Sequence, residues 1–397
     1  MKTFDVIIAG AGPAGATAAK VLGEAGVSTL LLDKSAFPRD KPCGGGISAR
    51  VLERFPYLES ALANIPASWV HKVHFESPSG FVVDYRSTDP LYLMIRRCDF
   101  DNLLFSLALP HVETATGLVR KVAVHRDHVL VTTGHGEYHA RMVIGCDGAN
   151  SVVARAAGLR TGSVQNHYAI DMMEETPRSE LSTAERDRMY IYYRIRSHYG
   201  YGYVFPKADY LNVGVGFKLD YYLATLRGEH YSHHRAFVED MKSQQVLEGE
   251  SNRANFRAFP LPISGPLART YGDRVLLAGD AGGFVNALTA EGIYYAMVTG
   301  ELAARAAMQG QLSDYQRAWK REIGDELAHS VRLQKLLLAD PTRVDRMVRA
   351  AGRHPVLADL LARYATGALT HAEFKSSMLR RALPVYLREK ARQLVFG

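Results

Sequence analysis

FDVIIAGAGPAGATAAKVLGEAGVSTLLLDK, residues Phe4 to Lys34, decides how the chain is read. Its apolar run Val6-Ile7-Ile8-Ala9 has the length and β-branched content of a strand buried on both faces. The chain then passes through Gly10-Ala11-Gly12-Pro13-Ala14-Gly15, a G-x-G-x-x-G. An alanine-rich helix is expected from Pro13 to Ala25, with Gly26 placed to stop it. A second apolar run, Thr29 to Leu32, ends in Asp33-Lys34. In such a unit Gly10 permits the tight turn, Gly12 lets backbone approach a pyrophosphate, and Gly15 lets helix and strand pack closely. The helix N-terminus offers unpaired N–H groups to phosphate, and an acid at the end of the second strand bonds a ribose hydroxyl. Strand, turn, helix, strand and acid are all present, so the stretch is read as a dinucleotide-binding unit.

The bulk composition bounds the rest. A chain of 397 residues implies two or three domains. With 47% hydrophobic and 22% charged residues, it reads as a globular protein. No apolar run approaches the roughly 20 residues that span a bilayer, and the first strand starts too early to leave room for a secretory signal. A cytoplasmic protein is expected. The net charge of +7 suits anionic ligands or surfaces, but there is no nucleic-acid motif, and a solvated basic face accounts for it. Cys43, Cys98 and Cys146 lack the paired spacing of a zinc or iron–sulfur site, so no metal is expected.

Beyond Asp33, the segment FPRDKPCGGGIS (Phe37–Ser48) is neither strand nor helix, and its consecutive glycines suit a loop crossing a bound ligand. A helical piece is expected over 49–62, and strands near His71–Phe75 and Phe81–Tyr85. Ile95–Leu109 starts as a strand end and becomes a helix, with Arg97 at its start. A β-meander follows Val119 and leads into a buried strand that ends at Gly145-Cys146-Asp147-Gly148. From 161 to 271 tyrosines cluster in short alternating runs, 189–195, 200–205 and 211–217, as expected of an antiparallel sheet. Tyr201, Tyr203 and Phe205 then form either plain sheet core or an apolar substrate wall. A last buried strand, 274–278, runs into Gly279-Asp280, with a helix expected from about Thr289–Glu291. Residues 311–397 are helical by periodicity, broken at Pro341, Pro355 and Pro384.

These residues resemble a known family. GAGPAG, CDGANSVVAR (Cys146–Arg155) and LLAGDAGGFVNALTAEGI (Leu276–Ile293) are similar to the three FAD signatures of the flavoprotein hydroxylase superfamily. KPCGGGIS and YGYVFPK (Tyr201–Lys207) resemble the marks of its geranylgeranyl reductase branch, and the resemblance spans residues 1 to about 330. It implies an α/β fold, with a Rossmann-type FAD-binding domain of discontinuous segments (1–60, 92–160, 272–325). An inserted α+β antiparallel-sheet substrate domain (61–91, 161–271) and a helical C-terminal region (326–397) would complete it.

The cofactor implied is FAD, held by Gly10, Ala11, Gly12, Pro13, Ala14, Gly15, Asp33, Lys34, Cys43, Gly44, Gly45, Arg97, Val119, Asp147, Gly148, Asp280, Gly292 and Ile293. Tyr201, Tyr203, Phe205 and Pro206 would meet substrate, and Cys43, Tyr201 and Tyr203 would sit closest to the chemistry. The activity implied is reduction of C=C bonds in an isoprenoid chain of a lipid, quinone or prenyl diphosphate, with NAD(P)H or ferredoxin as electron donor. An FAD-dependent monooxygenase or halogenase, and a non-catalytic flavin- and lipid-binding protein, are the alternatives. The basic tail KSSMLRRALPVYLREKARQLVFG offers a peripheral membrane contact. Three positions depart from the family pattern: Ala287 replaces a proline, Ala290 a glycine, and Tyr203 a tryptophan.

Overall fold

In the computed structural model, which describes residues 3–160, 167–226 and 229–382, the opening strand Thr3–Ala9 lies inside an eight-stranded sheet. It pairs in parallel with Thr29–Asp33 on one side and Glu137–Gly145 on the other, with Ile7 opposite both Leu30 and Val143. Glu113–Thr116 and Val275–Leu277 extend the parallel part outward. Ile7, Ile8 and Ala9 are fully buried, as an apolar run covered on both faces requires. The strands 121–124 and 129–132 form the expected meander on the start of 137–145.

The helix Pro13–Glu24 covers one face of this sheet and packs along the helix Ile293–Gln309. Proline opens the first of these, where its missing N–H costs nothing, and Gly26, at φ +73°, follows its end. The two helices approach so closely that a Cβ on Gly300 would sit 2.2 Å from the Ala14 carbonyl oxygen.

A seven-stranded sheet is ordered 256–262, 168–177, 210–218, 198–206, 188–195, 72–76, 82–86. Its neighbours are antiparallel except 188–195 with 72–76. Period-two alternation divides its aromatics between two cores. Tyr190, Tyr192, Val204, Val213 and Val215 face the helix His230–Ser243 through Phe237, Val238 and Met241. Met173, Ile191, Tyr203 and Phe205 share the opposite core with Tyr92 and Met94 of a small sheet (46–48, 92–95, 67–70). Val344, Val348, Ala351, Ala358 and Ala362, from the helices Pro341–Arg353 and Pro355–Ala365, close that core. Both helices begin at the prolines expected to break the tail.

Two expected elements differ. The helical piece over 49–62 is split into Ala49–Arg54 and Tyr57–Ala61, because Pro56 cannot continue the first helix. The late helix begins at Ile293 rather than near 289–291, because Ala290 lies at φ +59°, outside the right-handed helical region. Pro384 and most of the basic tail lie outside the described residues.

Candidate flavin and substrate site

The carboxyl ends of the parallel strands converge on Gly10, Asp33 and Cys146, the edge at which open α/β sheets bind ligands. Sterics explain the glycines. Gly10 has φ +99°, and a Cβ there would lie 2.3 Å from the Cys146 carbonyl oxygen. A Cβ on Gly15 would lie 1.8 Å from the Gly10 carbonyl oxygen. Over Gly12, by contrast, the nearest atom is a guanidinium nitrogen of Arg39 at 3.6 Å. The helix that follows carries no side-chain cap and no acid in its first turn. Its first amides are therefore left for an outside anion.

Asp33 accepts from the Ala11 amide through Oδ2 at 2.8 Å and from the Ser35 amide through Oδ1 at 3.0 Å. Each oxygen keeps a lone pair for a ribose hydroxyl. Arg39 reaches Asp33 at 3.5 Å and Asp101 at 3.0 Å. Arg97 grips the same fully buried Asp101 with two hydrogen bonds, 2.7 and 2.8 Å. Burial opposes the Arg97 charge, yet Asp101 and the nearby Cys43 more than offset it and its pKa ends above that of a free arginine. The two guanidinium groups and the two carboxylates, Asp33 and Asp101, form one charge-balanced network beside the glycine turn. Asp101 meets Arg97 one turn along the same helix, but Arg39 was not legible as a site residue, since only the fold brings position 39 to that pair.

Asp147 lies beside the turn, but its carboxylate is already committed. It accepts from Ser151 Oγ at 2.5 Å and from the Val152 and Val153 amides at 2.6 and 3.1 Å, capping the helix Val152–Ala156. Gly148, at φ +78°, has open space where a Cβ would be. Asp280 stands 3.8 Å from Lys41 Nζ, and its Oδ1 is 3.6 Å from a Cβ built on Gly292. The glycine–aspartate turn and the start of the late helix therefore face each other. Arg160, which sequence reasoning passed over, ties this turn down through the carbonyls of Asp280 (3.2 Å) and Ala281 (2.8 Å). Lys34, next to Asp33, is exposed, and Val119 buries its side chain in the core behind the parallel sheet two residues beyond Gly117, whose amide donates to the Asp33 carbonyl at 2.7 Å.

The Cys43–Gly46 loop joins this edge to the second sheet. Gly45 donates its amide to Cys43 Sγ at 3.4 Å. A Cβ on Gly44 would meet the Phe205 ring at 2.9 Å, and one on Gly46 would enter the Tyr92 ring at 1.8 Å. Lys207, almost fully buried, donates to the Cys43 carbonyl at 3.3 Å and pairs with Glu175, which Arg96 also holds at 3.2 Å. From Phe205 an aromatic column runs inward, stacked on Tyr203 (ring centroids 4.5 Å apart), with Tyr201 beyond it (5.7 Å). Pro206 is buried at the end of the same strand. Its middle ring meets a buried acid, as Tyr203 donates to Asp171 Oδ2 at 3.1 Å.

The FAD binding domain family matches residues 3–65 and 113–300. The chain is also 30% identical over 358 residues to digeranylgeranylglycerophospholipid reductase 2 of Methanothermobacter thermautotrophicus, covering 84% of this chain and 88% of that one. The chain belongs to the geranylgeranyl reductase family of FAD-dependent oxidoreductases. Two solved structures share the fold of this reductase-family protein. A geranylgeranyl bacteriochlorophyll reductase-like protein from Thermoplasma acidophilum superposes with a TM-score of 0.78 at 20% identity, over 95% of this chain and 99% of its own. The flavin-dependent brominase Bmp2 superposes at 0.73 and 19% identity, over 98% and 100%. The open cradle at Gly12, the uncapped helix and the acid at Asp33 fit the FAD that this family binds.

Proposed function

We propose that the protein is an FAD-dependent reductase that saturates C=C bonds in a geranylgeranyl-type chain of a lipid, quinone or prenyl diphosphate. The observation that carries this reading is the meeting of the Cys43–Gly46 loop with an apolar face. Gly44 abuts Phe205, Gly46 seats Tyr92, and behind them lies a core of aromatic, methionine and aliphatic side chains from two sheets and the C-terminal helices. A prenyl chain has no polar handle along its length, so a site for it is an apolar surface delivered to the flavin edge.

In this reading Gly10, Gly12, Gly15 and Asp33 hold the pyrophosphate and ribose of FAD, and Arg39 and Arg97, joined through Asp101, fix the mouth of the cradle beside them. Asp280 and the start of the late helix hold the distal part of the cofactor. Bound there, FAD supplies the hydride. The residues of the chain do the rest. Tyr201, Tyr203 and Phe205 orient the isoprenoid and exclude water, while Lys207 and Glu175 brace the Cys43 loop from behind. Cys43 is assigned a positional role at the substrate edge, since a thiol is a poor acid toward an alkene.

The electron donor is NAD(P)H or a ferredoxin that docks transiently. Among the described residues no helix is long and apolar enough to cross a membrane. We infer that a membrane-derived substrate reaches the site from a cytoplasmic protein resting on the membrane surface. The shared fold with a brominase keeps one rival, oxygen-dependent chemistry on an aromatic substrate. An anaerobic experiment separates them. The flavin is reduced with dithionite and a prenyl lipid is added. Reoxidation with a product heavier by two hydrogens per bond is expected. Reoxidation by oxygen alone, with an oxygenated or halogenated product, would overturn the reading, and no turnover of either kind would favour a binding protein.

A further inference from the structure

We propose that Glu291 is the acid that delivers a proton to the alkene carbon opposite the hydride, an assignment that rests on the reductase reading. Glu291 lies where the loop after the glycine–aspartate turn enters the late helix, one residue before Gly292. Its backbone is fixed, because its carbonyl accepts from the Asn286 amide at 2.9 Å. Its side chain is 6% exposed, and among the described residues its Oε1 makes no well-formed hydrogen bond, with Ser48 as its polar neighbour. A second such buried oxygen, Ser48 Oγ, belongs to the segment that follows the Cys43–Gly46 loop. Ser48 and Glu291 face each other across the two walls, close enough for the hydroxyl to favour the Glu291 carboxylate. A buried polar atom left without a full partner is costly and calls for an explanation, such as a proton it carries or a ligand that completes it.

The surroundings suit an acid that keeps its proton until it is needed. From the small sheet, Ser48 and Tyr92 face Glu291, and Tyr92 in turn lies within the electrostatic reach of Cys43 and Tyr201. Arg50, from the helix Ala49–Arg54, is near but grips Glu326 with two bonds of 2.7 and 3.0 Å. Tyr295 lies on the following turn of the same helix, and Glu326 on the helix Asp325–Leu338. Gly367 closes the far side, where a Cβ would come within 2.6 Å of Glu291 Oε2. Burial pushes the Glu291 carboxyl up to about 7, with Glu326 reinforcing it and Arg50 and Ser48 opposing. An acid poised near working pH combines a useful protonated fraction with ready release. The other acid near the aromatic column, Asp171, has its carboxylate held by Tyr203 at 3.1 Å, whereas among the described residues Oε1 of Glu291 has no well-formed hydrogen bond.

The step balances. The π electrons of the alkene form one C–H bond with the Glu291 proton, and the hydride brings both electrons of the other. Two electrons leave the reduced flavin, and the carboxylate recovers its proton from water.

Three measurements on the flavin-loaded full chain test this. Infrared difference spectra between about pH 5 and about pH 9 should show buried carboxyls that titrate near neutrality in the wild type, Asp171 and Glu174 among them, and Glu291→Gln should remove one such component. Anaerobic reoxidation of the reduced flavin by a prenyl lipid should slow by about 100-fold or more in Glu291→Gln, and its fall above neutral pH should vanish. Glu291→Asp should recover part of the rate and keep the pH dependence. A Glu291→Gln protein that reoxidises within about threefold of wild type, with an unchanged profile, would overturn the assignment. So would infrared spectra of Glu291→Gln that retain every titrating component of the wild type. If Glu291→Gln does remove a component but no prenyl lipid reoxidises even the wild type, the reductase reading itself fails and this assignment falls with it.

Discussion

Tyr203 lies across the sheet floor over Gly214 and donates its hydroxyl to Asp171 at 3.1 Å. A Cβ on Gly214 would sit 2.3 Å from that oxygen. The glycine makes the bond possible by leaving the floor bare. Asp171 is 7% exposed, and burial raises its carboxyl to about 7 although the Tyr203 hydrogen bond opposes this. The folded state therefore holds a proton here that the unfolded chain has lost above about pH 4. That favours the fold below pH 4 and is lost as pH rises through about 7, at up to about 1.4 kcal/mol per pH unit. Glu174 and Glu291, also raised to about 7, act in the same direction. Thermal stability should fall between about pH 4 and about pH 7, and Asp171→Asn should make the decline shallower in calorimetric scans. An unchanged slope would show that Asp171 is ionised in the fold.

Ala290 sits in the left-handed region at φ +59°, where an L-residue costs about 1–2 kcal/mol and glycine does not. Its side chain is exposed, so little packing is lost on truncation. Ala290→Gly should stabilise the protein by about 0.5–1 kcal/mol once the extra freedom of the unfolded chain is set against the relief of strain. Denaturant midpoints with an unchanged slope would measure it.

At Ala287 the backbone amide donates to Ser330 Oγ at 3.0 Å, and both residues are buried. Ala287→Pro, which restores the family pattern, removes the donor and should destabilise by about 1–3 kcal/mol. Adding Ser330→Ala should reduce the penalty, because no orphaned partner remains. A double-mutant cycle in urea reads the coupling.

Arg39 links Asp33 to Asp101 across the mouth of the cradle. Arg39→Ala should leave the fold intact and weaken FAD retention about tenfold or more, since charge-assisted bonds contribute about 1.5–3 kcal/mol each. Flavin fluorescence released on dilution would report it. Retention equal to wild type would show that the arginine serves only to join the two loops.

Much of the fold was legible because its signals are local. The buried run 6–9, the glycines at 10, 12 and 15, and Asp33 report backbone geometry within one βαβ unit, and the structure keeps each in the expected place. The helix start at 293 was misplaced because the conformation that delays it belongs to Ala290, a residue with no intrinsic preference for it. Arg39, Arg160, Glu175 and Tyr92 left no pattern in the sequence. Each matters through a partner far along the chain: Arg39 through Asp101, Arg160 through Asp280, and Tyr92 through the seat left by Gly46.

By itself the sequence determined that a parallel sheet cradles a dinucleotide at the chain start, because glycine sterics and strand periodicity act over a few residues. Only the tertiary structure decided which aromatics face the site. Tyr190 and Tyr192 pack against a helix, while Tyr203 and Phe205 turn to the Cys43 loop, and one sheet pleat separates the two fates. It also decided that Asp147 caps a helix while Glu291 keeps an oxygen with no well-formed hydrogen bond among the described residues. Which carboxylate is satisfied depends on what the whole chain packs against it.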